Sequence, residues 1–104
     1  MLLRDKVAKE LLEAVNSVKD SEVKIEKLTS NQEFFEAIIR KIRSELDLLE
    51  VTKSVDNLAE LMELIDWIQV ALGTTDIGKV VEHRAEKLGL YWDRYYIKDN
   101  LEDD

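Results

Sequence analysis

The sequence predicts an all-α protein built as a four-helix bundle, and three observations lead there. The 104 residues contain no proline and only three glycines, so little interrupts a helix. Charged residues make up 37% and hydrophobic residues 45%, a balance that suits helices with one wet and one buried face. The apolar residues also recur at spacings of three and four along most of the chain. A chain of this length supplies one core and not two, so residues 1–97 are expected to form a single helical domain, with 98–104 as a frayed acidic tail.

The first helix is expected from about Leu3 to Lys19, where Val7, Leu11, Leu12, Val15 and Val18 form one stripe. Lys19-Asp20-Ser21 breaks it. Val23 to Leu28 then alternates apolar and charged residues, which predicts an extended piece lying on the core. Ser30 followed by Glu33 is a capping-box signature, and Phe34, Phe35, Ile38, Ile39, Ile42, Leu46 and Leu49 follow on a helical period. A second helix over Asn31 to Glu50 results. Thr52-Lys53-Ser54 makes the turn, and Ser54 is placed to cap the third helix, Val55 to Leu72. Gly73 stops that helix, Thr74 or Thr75 caps a fourth, and Gly89 closes it after Leu88. The tail Leu90 to Ile97 holds four of the seven aromatic residues, so it is expected to fold back onto the helices.

Composition also bounds function. The formal charge of -8, from 23 acidic against 15 basic residues, disfavours a polybasic nucleic-acid surface. With no cysteine, disulfides, thiolates and iron–sulfur sites are excluded, and a zinc site would have to use His83 with carboxylates. An oxygen-liganded hard cation is the metal class that the composition supports. No apolar run reaches the roughly 18 residues of a membrane span and the start lacks a long apolar leader, so a soluble, cytoplasmic protein is expected.

The third helix is unusual because twelve of its eighteen positions are apolar and its acids do not keep to a separate face. With Leu58 at zero and about 100° per residue, Leu61, Met62, Ile65, Ile68 and Leu72 lie within about 80° of it. Glu60, Glu63 and Trp67 fall on the opposite side, flanked by Leu64 and Ala71. Glu45 similarly borders the apolar stripe of the second helix. If those two helices pack antiparallel, their carboxylates can converge in the manner of a bundle-core metal site. The plainer alternative is that these acids are solvated, that Lys41 and Arg43 are their surface partners, that Trp67 fills core or interface, and that His83 is an ordinary exposed histidine.

Four segments in order carry a family resemblance: Leu2-Leu3-Arg4-Asp5-Lys6-Val7, Leu28-Thr29-Ser30-Asn31-Gln32-Glu33-Phe34, Lys41-Ile42-Arg43-Ser44-Glu45-Leu46-Asp47 and Lys87-Leu88-Gly89-Leu90-Tyr91-Trp92-Asp93-Arg94. In these the chain resembles the MazG-like, phosphoribosyl-ATP pyrophosphohydrolase-like group of all-α nucleoside triphosphate pyrophosphatases, in particular small members opening with Leu-Val-Arg-Asp-Lys-Ile. The resemblance implies a four-helix bundle completed by oligomerisation and a magnesium-dependent hydrolysis of nucleoside triphosphates to monophosphate and pyrophosphate. Magnesium, or manganese in its place, would be held by a Glu-Glu-x-x-Glu pattern on one helix and Glu-x-x-Asp on the next. Those patterns fall here on Ser44, Glu45 and Leu48, and on Asn57 and Glu60. Only Glu45 is retained unchanged, Glu60 replaces an aspartate, and Asp47, Asp56 and Glu63 lie nearby.

The resemblance therefore implies Glu45, Glu60 and Glu63 as metal ligands, with Glu45 catalytic, and Lys6, Arg84 and Arg94 as phosphate contacts. Leu88 and Leu90 depart from the family's tail motif, which has arginine and glycine there. The alternative is a catalytically silent homologue that keeps the fold as a nucleotide-sensing or protein-interaction module. Because one neighbouring helix cannot cover the third helix on all sides, a homodimer or dimer of dimers is expected.

Overall fold

The computed structural model describes residues 1–18, 22–74 and 76–98. Among them are four helices and no strand: α1 Asp5–Asn16, α2 Asn31–Thr52, α3 Val55–Leu72 and α4 Ile77–Leu88. No helix there is long and apolar enough to cross a membrane. The chain divides into two compact units, Met1–Thr74 and Thr75–Asp104.

The helix boundaries follow their caps. Ser30 is extended (φ -107°, ψ 147°), and its hydroxyl oxygen accepts the Glu33 amide at 3.0 Å, starting α2 where the capping box predicts. The helix runs two residues beyond the expected Glu50, because Lys53 turns it off in the left-handed region (φ 53°) while its amide bonds the Leu49 carbonyl at 2.8 Å. Ser54 then caps α3 by accepting the amides of Asp56 at 3.1 Å and Asn57 at 3.4 Å. Gly73 ends it at φ 68°, as expected of a glycine beyond a helix.

Two local expectations need correction. Thr74 does not start the fourth helix: its hydroxyl donates to the Gln69 carbonyl at 3.4 Å and so closes α3. Asp76 stands at the head of α4 in a left-handed conformation (φ 56°) without a side-chain cap, and Thr75 lies outside the described residues. The first helix is also shorter than its apolar stripe, beginning after an extended Arg4 and ending at Asn16, where the Ser17 hydroxyl donates to the Ala14 carbonyl at 2.7 Å. The expected break at Lys19-Asp20-Ser21 lies outside the described residues.

With only Lys53 and Ser54 between them, α2 and α3 form an antiparallel helical hairpin. Asn57 meets Glu45 near the turn, and Leu64 and Ala71 meet Ile38 farther along, as antiparallel register requires. Ile38 is fully buried and packs with Leu64 and Ala71, while Leu2, Phe34, Phe35, Ile42 and Ile68 close around them. The face of α3 turned to α2 is thus the one carrying Leu64 and Ala71, near the acids. Leu58, Met62, Ile65 and Leu72 point outward and are about half exposed.

Among the described residues of the first unit, α2 with α3 is the extensively packed helix pair, and α1 buries no residue. Val23–Leu28 is irregular, with Ile25 alone half-buried. In the second unit α4 buries no residue either. Its tail turns at Tyr91–Arg94, where the Arg94 amide bonds the Tyr91 carbonyl at 3.1 Å. Within this unit Tyr91, Trp92 and Tyr95 are at least 80% exposed.

Candidate functional site

Glu60 and Glu63 lie together along one edge of α3, and both are held by one partner. Glu60 and Glu63 stand three residues apart, so their side chains share a face. Arg4, in the extended segment before α1, reaches both. Its guanidinium donates to the two Glu63 carboxylate oxygens at 3.0 and 3.1 Å and to Glu60 Oε2. This forked pairing is the arrangement for which arginine geometry is suited. The guanidinium lowers the Glu63 carboxyl below its ordinary range, chiefly by hydrogen bonding and then by charge.

Glu45 belongs to a second polar knot at the turn end of the hairpin. It is the one buried charged residue among those described, at 8% exposure. Asn57 Nδ2 donates to Glu45 Oε2 at 3.0 Å, and Lys41 Nζ lies 3.5 Å from Glu45 Oε1, one turn earlier on α2. The Thr52 hydroxyl donates to Asn57 Oδ1 at 2.8 Å, fixing the amide so that its nitrogen faces the carboxylate. A buried carboxylate is tolerable only when satisfied in this way.

A hollow of about 580 Å³ opens beside the two knots, with Arg4, Lys41, Glu60, Glu63, Phe34 and Trp67 among its walls. Trp67 and Phe34 meet edge to face, ring centroids 6.3 Å apart, and Trp67 remains half exposed. It therefore borders both the aromatic part of the core and the acids.

Of the residues expected from the sequence, Glu60 and Glu63 come together on one cation, while Glu45 is occupied by Asn57 and Lys41. Lys6 is exposed on α1, and Arg84 and Arg94 are exposed in the second unit. The residue that sequence reading passed over is Arg4. Its signal was slight: a base directly before the first helical residue, with its acidic partners 56 and 59 positions away.

The donor set decides what metal these residues suit. Among the described residues no group of three or more histidine, cysteine, aspartate or glutamate side chains is placed to hold a metal ion. A resident ion caged by three carboxylates does not fit. Glu60 and Glu63 are instead engaged by the Arg4 guanidinium.

Compared with protein-family models, with curated proteins and with solved structures, the chain matches none.

Proposed function

We propose that the chain is a MazG-like nucleotide pyrophosphohydrolase that hydrolyses a nucleoside triphosphate to its monophosphate and pyrophosphate. The observation that carries this reading is the convergence of Glu60 and Glu63 on the Arg4 guanidinium, at a hollow also lined by Lys41. Magnesium bound with the nucleotide would supply charge neutralisation and a more acidic water. Glu60 and Glu63 would hold that ion. Arg4 and Lys41 are the nearest bases for the phosphate chain, and Glu45 keeps Lys41 and Asn57 in place between the helices.

A second reading, a catalytically silent homologue that senses nucleotide or binds protein, is favoured by a separate observation. Ser44, Leu48 and Asn57 stand where the resemblance calls for acids, and Arg4 already satisfies Glu60 and Glu63. One experiment separates the two: calorimetric titration of magnesium or manganese, with pyrophosphate release measured over a panel of nucleoside triphosphates. The enzyme reading expects metal-dependent release that Glu60→Ala abolishes. A folded protein with neither metal binding nor turnover would leave the silent reading.

The same proposal includes a homodimer or dimer of dimers. It is supported by the outward face of α3, where Leu58, Met62, Ile65 and Leu72 are exposed at helical spacing without an intervening charge on that stripe. Light scattering at micromolar concentration should give at least twice the 12.1 kDa chain mass, and Ile65→Glu should reduce it to one. A monomeric wild-type protein would refute this.

A further inference from the structure

We infer that the hairpin is one half of a four-helix bundle whose other half is the hairpin of a second copy, with α2 contributing to the contact as much as α3. This rests on the homodimer reading above and deepens it, because there α3 alone supplied the interface. Each of the two helices carries two stripes at alternating spacings of three and four, one residue apart in phase. On α3 the first stripe, Asn57, Leu61, Leu64, Ile68 and Ala71, is buried or half-buried, and Leu64 and Ala71 in it meet Ile38. The second stripe is Leu58, Met62, Ile65, Gln69 and Leu72, whose apolar members are about half exposed. The pattern repeats on α2. Phe34, Ile38, Lys41 and Glu45 form its inner stripe, in which Glu45 meets Asn57 and Ile38 meets Leu64. Phe35, Ile39, Ile42, Leu46 and Leu49 form the next one, with Leu46 50% exposed and the others half-buried.

Helical geometry puts both outer stripes on one side of the hairpin. A step of one residue turns a helix by about 100°, and because α2 and α3 run antiparallel, the same step carries both stripes to the same face. Neither stripe holds a charged residue. One step the other way on α3 lie Glu60, Glu63 and Trp67, so the far face is the one to which Arg4 ties the N-terminal segment. Two stripes about 100° apart are what a helix needs to pack on two neighbours in a bundle, and here only the inner stripes are filled. A second hairpin related by a two-fold axis supplies the missing neighbour to both helices at once, apolar stripe against apolar stripe. The chain's own α4 is too short for that role, since its twelve residues span about 18 Å and the eighteen of α3 about 27 Å. A face of those dimensions, roughly 20 Å wide, buries on the order of 1,000 Å² over two copies, which is enough for a specific interface.

The test is sedimentation equilibrium of the full chain at micromolar concentration, with helix content followed by circular dichroism. Leu46→Glu on α2 and Ile65→Glu on α3 each set an unpaired charge in the contact, and each should raise the dissociation constant at least about a hundredfold. Leu46→Gln, without the charge, should raise it about tenfold and serves as the α2 variant should the glutamate cost helix content. Val70→Glu is the control, because Val70 lies one step before Ala71 on the far side of α3 and is 57% exposed; it should leave the dissociation constant unchanged. A dimer broken by Ile65→Glu and untouched by both Leu46 variants would overturn the two-helix face while leaving the α3 dimer in place. Equal weakening by Val70→Glu would overturn it too, and a monomeric wild type would refute both this contact and the dimer. Pyrophosphate release from the same samples judges the enzyme reading by itself, since neither outer stripe contains Glu45, Glu60 or Glu63.

Discussion

Replacing Asn57 by aspartate tests the knot that ties the hairpin together. The Asn57 amide donates to the buried Glu45 carboxylate at 3.0 Å, so Asn57→Asp removes a hydrogen bond to a charged group and sets a second carboxylate in its place. Loss of such a bond costs about 1.5–3 kcal/mol. Carboxylates sharing a site cannot both ionise freely, so one is held protonated and the loss rises toward roughly 4 kcal/mol at neutral pH. Urea unfolding at pH 7 should therefore show a midpoint far below wild type with a similar slope. Because the strained pair has a carboxyl pKa raised above its unfolded value, the deficit shrinks as pH falls toward the ordinary carboxylate range. The companion variant Glu45→Gln/Asn57→Asp restores one amide and one carboxylate in reversed positions and should recover most of the loss. Asn57→Asp within about 0.5 kcal/mol of wild type, or a double variant no better than the single one, would refute the pairing.

Two further outcomes are expected. Ile38→Ala should cost about 2–5 kcal/mol by calorimetry, a large share of a small domain's stability, because Ile38 is the fully buried centre of the hairpin core. The Arg4–Glu63 contact should weaken at acid pH: the folded Glu63 pKa is depressed, so the pairing is complete above the ordinary glutamate range and is lost as pH falls through the lowered value. Amide exchange in α1 should accelerate in that window and also in high salt, since the pair is exposed.

What was legible in the sequence was local. Ser30 with Glu33, Ser54 before Val55 and Gly73 after Leu72 act within one turn of their own positions, and α3 has the expected bounds. The periodicity of α2 likewise marked Ile38 and Ile42 as inward. Thr74 was misjudged because a threonine after a glycine can serve either neighbouring helix, and its hydroxyl serves the preceding one. Apolar content alone did not reveal which side of α3 is covered. Its Leu58 stripe is the more continuous, yet α2 packs against the Leu64 and Ala71 side, where the small Ala71 allows close approach. The Arg4 contacts were beyond any local signal, since they join residues at opposite ends of the first unit.

The two-residue connection between α2 and α3 also sets an order of events in folding. Glu45 and Asn57 are twelve positions apart, and the loop that must close between the helices is Lys53 and Ser54 alone. Such closure sacrifices little chain entropy, and helical hairpins of this kind assemble on the microsecond to millisecond scale. The N-terminal segment, by contrast, must cross more than fifty residues to reach Glu60 and Glu63. Its docking closes a far longer loop than the hairpin does, so it is expected to follow hairpin assembly and not to lead it.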